Sequence, residues 1–204
     1  VSYSACGMPY YLGRITEEFD DIVPRTEEDF CDKYGTEVFY RHEVIKIESK
    51  TKKVTVKDLS TGKTFIDSYD KLLIATGATP NMPDIKGKDK EHVFVLRTIE
   101  DMLNIDRYIH LAKVAKVSII GSGMIGLEMA ENFVARGLEV TIVNRSTKIG
   151  PKLSDLLAKR VEEELLKHGV NIMKEATTAE IFDNHLLMED GREVDADLVL
   201  ITTG

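Results

Sequence analysis

Val117-Ser118-Ile119-Ile120-Gly121-Ser122-Gly123-Met124-Ile125-Gly126 carries an apolar run into three closely spaced glycines and then into an apolar helical pattern. Val117 to Ile120 predicts a buried strand, and Met124 to Arg136, closed by Gly137, predicts a helix. Glycines between a strand and a helix have a specific physical use. Gly121 makes the tight turn, Gly123 lets backbone N–H groups approach a pyrophosphate, and Gly126 permits close helix packing. The helix N-terminus then turns its partial positive charge toward the phosphates, with Met124 and Ile125 in the first turn. The G-x-G-x-x-G spacing alone is weak evidence; its place between strand and helix gives it meaning.

Outward from this turn the pattern alternates β, α, β, α, β. Val140 to Val143 predicts a second strand, and Leu153, Leu156, Leu157, Val161 and Leu165 lie along one face of a further helix. Gly169 ends that helix before a strand at Val170 to Met173. Asp190-Gly191 marks a hairpin turn, and Leu198 to Ile201 is a last buried strand. This order implies a Rossmann-like parallel sheet that binds a nicotinamide dinucleotide. In such a sheet the second strand ends in the residue that reads the adenosine ribose, an acid for NADH or a nearby base for NADPH. Here Val143 is followed by Asn144 and Arg145, 18 and 19 residues beyond Gly126. Asn144 lacks the bidentate acceptor for a ribose diol, while Arg145 either pairs with a 2′-phosphate or stands as a solvated charge. NADH and NADPH both remain open.

Upstream, Pro24-Arg25-Thr26 followed by Glu27, Glu28 and Asp29 predicts a helix with Thr26 as N-cap and Gly35 at its end. Val38 to Tyr40 leading into Val44 to Ile47, Val54 to Leu59, and Thr64 to Ile66 predict an antiparallel meander. Lys71 to Gly77 predicts a strand buried on both faces, and Asn81 to Lys90 an irregular linker. Thr98 to Ala112 has helical spacing at Ile99, Met102, Leu103, Ile105 and Ile109. A domain boundary is expected near Lys113, dividing residues 1–112 from 113–204.

The composition excludes several classes. With 204 residues, 43% hydrophobic and 30% charged, the chain is globular rather than disordered. A net charge of −8 with dispersed Lys and Arg argues against nucleic acid. No run approaches the roughly 18 apolar residues of a spanning helix, so no membrane partner and a cytoplasmic location are expected. His42, His92, His110, His168 and His185 are scattered, and no metal is expected. The chain opens at Val1 and stops at Gly204 after an apolar run, which suggests a piece of something longer.

Cys6 and Cys31 are too few for a disulfide framework and fit no two-cysteine redox spacing. Cys6 is the redox candidate. Pro9 suits the first turn of a helix, which would set Cys6 at a positive helix end, a setting that favours thiolates. A lone thiolate can attack a disulfide and hold half of it as a mixed disulfide, or cycle through sulfenic acid. The alternative is a small buried side chain, the commoner fate of a single cysteine.

Four segments occur together in order: Ser2-Tyr3-Ser4-Ala5-Cys6-Gly7-Met8-Pro9-Tyr10-Tyr11, Tyr69 to Pro80 with Ala75-Thr76-Gly77, Gly121 to Glu131, and Ala196 to Gly204. Over essentially its whole length the chain resembles the FAD-dependent pyridine nucleotide-disulfide oxidoreductases, in the branch of coenzyme A disulfide reductase, NADH oxidase and NADH peroxidase. The resemblance implies an incomplete FAD-binding domain over 1–112, an NAD(P)H-binding domain over 113–204, and a homodimer for the full-length protein. It implies Ala75, Thr76 and Gly77 beside FAD, Glu128 at the nicotinamide end, and Ser2 at coenzyme A. Met124 stands where members usually carry a Tyr that shields the flavin, and Ala5 where some carry Asn. The family's first FAD-binding glycine motif would precede Val1. The implied activity passes electrons from NAD(P)H through FAD to Cys6, which reduces a small disulfide such as coenzyme A disulfide. The alternatives are an oxidase or peroxidase acting on oxygen or peroxide through a Cys6 sulfenic acid, and a dinucleotide-binding module without turnover.

Overall fold

A computed structural model describes residues 2–16 and 18–203. In chain order, a 3-10 turn at Ala5–Gly7 runs into α1 (Met8–Leu12), and a second at Phe19–Ile22 precedes α2 (Glu27–Tyr34), β1 (His42–Glu48), β2 (Lys53–Asp58) and β3 (Thr64–Ser68). There follow β4 (Val93–Phe94), α3 (Ile99–Leu111), β5 (Lys116–Ile120), α4 (Met124–Ala135), β6 (Glu139–Val143) and α5 (Asp155–Lys167). The last elements are β7 (Asn171–Met173), β8 (Thr178–Ile181), β9 (His185–Met188), β10 (Glu193–Asp195) and β11 (Leu198–Ile201). None of the described helices is long and apolar enough to cross a membrane. These elements form two compact units, Arg25–Ala78 and Ser2–Pro24 with Thr79 onward. Packing thus groups the chain differently from the division expected near Lys113, because α1 and α3 share a core with α4.

In the unit Arg25–Ala78, α2 starts as its sequence dictates. Thr26 Oγ1 accepts from the Asp29 N–H at 3.3 Å, and the Asp29 carboxylate accepts from the Thr26 N–H at 2.9 Å. These bonds and Lys33 hold the Asp29 carboxyl down to about 2. Strands β1, β2 and β3 form an antiparallel sheet with Glu48 opposite Lys53 and Val54 opposite Asp67. The segment 71–77 departs from expectation: it forms no strand, and Leu73 is 88% exposed. A strand buried on both faces needs neighbours for its N–H and C=O groups, and none of these three strands pairs with it.

The other unit is built on a five-stranded parallel sheet in the order β4-β11-β5-β6-β7. Alternate residues of each strand enter different cores. Leu198, Leu200, Ile119 and Ile142 pack with Met102 and Ile105 of α3, Met129 and Phe133 of α4, and Met8 and Leu12 of α1. Val199, Ile201, Ile120 and Val143 pack instead with Ile181, Leu186 and Met188 of the antiparallel sheet β10-β9-β8. Burial on both faces is why these strands read as largely apolar runs, with Ser118 and Thr141 the polar members among their buried residues. The Asp190-Gly191 hairpin forms as expected between β9 and β10, whereas β8 is too short and mixed to show in the sequence.

Candidate functional site

The strand order reverses between β5 and β11, and β5, β6 and β11 end together at a cleft of about 870 Å³. Ligands of open α/β sheets bind at such a reversal, beyond the carboxyl ends of the strands. The glycine turn forms one wall of the cleft, and each glycine is there for a different reason. Gly121 has φ 107°, and a Cβ on it would lie 3.0 Å from both Thr202 Oγ1 and Thr203 Cγ2. On Gly126 a Cβ would lie 2.3 Å from the Gly121 carbonyl oxygen and 2.8 Å from Thr202 Oγ1. Thr202 closes this contact by donating to the Ile120 and Gly121 carbonyls, each at 3.1 Å.

Gly123 differs. Its backbone, φ −69° and ψ −179°, suits any residue, and a Cβ would meet nothing nearer than the Thr202 carbonyl oxygen at 4.0 Å. Gly123 is also the N-cap of α4 and offers no side-chain cap, so the first-turn N–H groups face the cleft without one. Met124 and Ile125, both exposed, line the cleft beside them. Glu128 is half-buried one turn further on, outside the cleft lining, and its carbonyl accepts from Asn132 Nδ2 at 2.8 Å.

At the end of β6, Asn144 is 6% exposed and holds the loop that follows it. Its Oδ1 accepts from Ser122 Oγ at 2.8 Å, and its Nδ2 donates to the carbonyls of Ser146 at 2.8 Å and Lys148 at 3.0 Å. Ser122 Oγ also accepts from the Gly150 N–H at 3.2 Å. Arg145 is exposed and lines the cleft, as does Lys152. Sequence reasoning passed over Ser122, Lys148 and Lys152. Only Ser122 carried a signal, as the middle residue of the glycine turn.

Cys6 lies elsewhere in the same unit. It is an exposed free thiol in the turn Ala5–Gly7, not the buried side chain that was its alternative reading. Ser4 Oγ caps this turn by accepting from the Gly7 N–H at 3.1 Å. The helix behind it, α1, has only five residues, with Pro9 in its first turn. Arg136 Nη1 of α4 donates to the Leu12 carbonyl at 3.0 Å and to Asp106 of α3 at 2.7 Å, which fastens the end of α1. Ser2, four residues before Cys6, is half-buried. In the unit Arg25–Ala78, Ala75, Thr76 and Gly77 are exposed and irregular, with Gly77 at φ 74°. Cys31 is exposed on α2.

Residues 1–204 match the profile of the family described as pyridine nucleotide-disulphide oxidoreductase. An NADH oxidase of Methanocaldococcus jannaschii is 36% identical to the chain over 208 residues, and a coenzyme A disulfide reductase of Staphylococcus haemolyticus 33% identical over 204. Each alignment takes in 100% of this chain and 46% of the relative, so the chain spans about half the length of these relatives. Among solved structures, reduced Bacillus anthracis CoADR-RHD superposes with a TM-score of 0.95 at 29% identity, covering 100% of this chain and 37% of that one.

Proposed function

The chain belongs to the pyridine nucleotide-disulphide oxidoreductase family, and on that premise we propose that it carries the NAD(P)H site and redox cysteine of an FAD-dependent reductase of small disulfides such as coenzyme A disulfide. The supporting observation is Gly123, whose bare Cα and uncapped helix N-terminus face open space where the strand order reverses. Neither packing nor backbone strain asks for glycine there. An approaching pyrophosphate does.

When bound, NAD(P)H supplies a hydride and FAD couples it to thiol chemistry. The first-turn N–H groups of α4 would hold the pyrophosphate, and Arg145 would stand at the adenosine end. By resemblance, Glu128 serves the nicotinamide end, Ala75 to Gly77 the FAD side, and Ser2 the coenzyme A side. The division at Lys113 into FAD-binding and nicotinamide-binding portions belongs to the same reading, as do a homodimer and a cytoplasmic setting for the whole protein. At Cys6, the thiolate attacks one sulfur of the substrate disulfide, whose S–S bond breaks as the Cys6 mixed disulfide forms and the other half leaves as thiolate. Two electrons then cleave the mixed disulfide, returning the Cys6 thiolate and releasing the second thiolate.

A second reading keeps the cofactors and has Cys6 cycle through sulfenic acid with oxygen or peroxide. Identity of 36% to an NADH oxidase favours it. The test is Cys6→Ser in the whole flavin-containing enzyme, assayed with coenzyme A disulfide and with oxygen. Loss of disulfide turnover with NAD(P)H binding retained is expected. Unchanged turnover would remove Cys6 from the reaction, and faster turnover of oxygen than of disulfide in the unmodified enzyme would favour the second reading.

A further inference from the structure

We infer that the cleft selects NADPH over NADH, with Arg145 and Lys152 holding the 2′-phosphate and Asn144 serving as a buried positioning residue that makes no ribose contact. This rests on the nucleotide reading of the cleft. A corner that prefers NADH presents a carboxylate at the end of the second strand, accepting from both hydroxyls of the adenosine ribose. Here that place is held by Asn144, whose side chain is committed to the protein. Ser122 occupies its Oδ1, and the Ser146 and Lys148 carbonyls occupy its amide hydrogens. Turning the amide toward a ligand would strip partners from buried Ser122 and from two partly buried carbonyls.

The same bonds fix where the next charges stand. The Asn144 N–H donates to the Met173 carbonyl at 2.8 Å, and its carbonyl accepts from the Ala176 N–H at 3.0 Å, so the backbone at Arg145 starts from a pinned residue. Lys152 reaches the cleft from the far limb of the same loop. Lys148, between them, is committed to the Leu153 carbonyl and to Asp155, both at 3.0 Å. Arg145 and Lys152 have no ion-pair partner among the described residues. Two acids line the cleft as well. Asp84 is paired with Lys88 at 3.0 Å, and Glu189 stands beside Thr177, whose carbonyl accepts its N–H at 2.9 Å. The loop after β6 therefore brings a guanidinium fork and an ammonium to the adenosine end, with no carboxylate of its own in the cleft. A phosphate monoester is the ligand group that such a pair collects.

Calorimetric titration of the protein with NADPH, NADH, 2′,5′-ADP and 5′-AMP tests this. NADPH should bind at least about tenfold tighter than NADH, and 2′,5′-ADP should exceed 5′-AMP by the same ratio, the worth of one hydrogen bond to a charged group. The double variant Arg145→Ala/Lys152→Ala should weaken NADPH by roughly 10- to 100-fold, bringing it level with NADH. Both side chains are exposed, so its thermal midpoint should match that of the parent, and added salt should erode the NADPH advantage. Equal affinities in the parent protein, or equal losses for both nucleotides in the double variant, would overturn the selectivity and leave the nucleotide cleft standing. Binding of neither nucleotide would overturn both.

Discussion

Ser122 Oγ donates to Asn144 Oδ1 across 2.8 Å, with both residues buried. Ser122 is the middle residue of the glycine turn after β5, and Asn144 is the first residue beyond β6. One side-chain bond thus joins the glycine turn after β5 to the loop after β6. Gly150 enters the same knot, since its N–H reaches both the Ser122 carbonyl at 3.0 Å and Ser122 Oγ at 3.2 Å.

If Asn144 is a brace, Asn144→Asp should destabilise the fold although it is isosteric. The new carboxylate oxygen would face the Ser146 and Lys148 carbonyls, acceptor against acceptor, in place of two donated hydrogen bonds. Stranding buried polar groups in this way costs about 1–3 kcal/mol. Urea unfolding with an unchanged midpoint for this variant would show that the corner does not depend on the amide.

Much of this was legible in the sequence, and the misses have identifiable causes. The helix at Thr26 announced itself through its N-cap Thr and first-turn acids, and that at Thr98 through its apolar spacing; both form capping boxes. Four of the five parallel strands, β5, β6, β7 and β11, were legible as short, largely apolar runs, while β4, only two residues long, was missed. The same signature failed at Lys71 to Gly77. An apolar run encodes the need for a partner but not the partner's presence, and this segment has no paired strand. Asn144 was flagged by position, while its commitment to Ser122 and Lys148 depends on loop closure that no spacing rule records. Gly123 was expected to be a place of close approach, and the open space at its Cα is consistent with that expectation.

His92 should make stability fall on the acid side. Its ring is 6% exposed, its Nε2 has no partner, and burial pushes its pKa below the usual 6.5 against an opposing hydrogen bond to the Phe182 backbone. The unfolded chain therefore binds a proton at a higher pH than the folded one. His92 contributes no penalty above about pH 6.5, and stability drops as pH falls from there toward the depressed folded value. Thermal midpoints between pH 8 and 5 should fall more steeply for the parent than for His92→Gln. Parallel curves would mean that His92 does not titrate differently on folding.

Asp106 should hold the Cys6 segment through α1. Its carboxylate meets Arg136 at 2.7 Å with both side chains largely buried, and Arg14 at 2.9 Å with the arginine half exposed. Asp106→Ala would leave the Arg136 guanidinium with the Leu12 carbonyl but without its counter-charge. A loss of about 1–3 kcal/mol is expected, nearly all from the Arg136 side because exposed pairs contribute little. The matching comparison is Arg14→Ala, which should change stability by less than about 1 kcal/mol. A larger loss for Arg14→Ala than for Asp106→Ala in urea unfolding would reverse this assignment.

The second and third glycines of the turn should separate folding from binding. At Gly126 an added methyl would stand 2.3 Å from the Gly121 carbonyl, a backbone atom held by Thr202, so Gly126→Ala cannot be relieved by a side-chain rotation. Overpacking of this kind costs about 1–3 kcal/mol, which outweighs the roughly 1 kcal/mol that alanine gains over glycine inside a helix. At Gly123 the space is open and the backbone ordinary, and serine is a good N-cap for the uncapped α4. Gly123→Ser should therefore match or exceed the parent in stability by a few tenths of a kcal/mol. The same hydroxymethyl group would occupy the ground where a pyrophosphate must lie, and its oxygen would compete for the helix N–H groups. NADH and NADPH should both weaken, by at least about tenfold or 1.4 kcal/mol. Denaturation and nucleotide titration on the two variants decide the matter together. A Gly123→Ser protein that binds both nucleotides as tightly as the parent would place the pyrophosphate somewhere other than the N-terminus of α4.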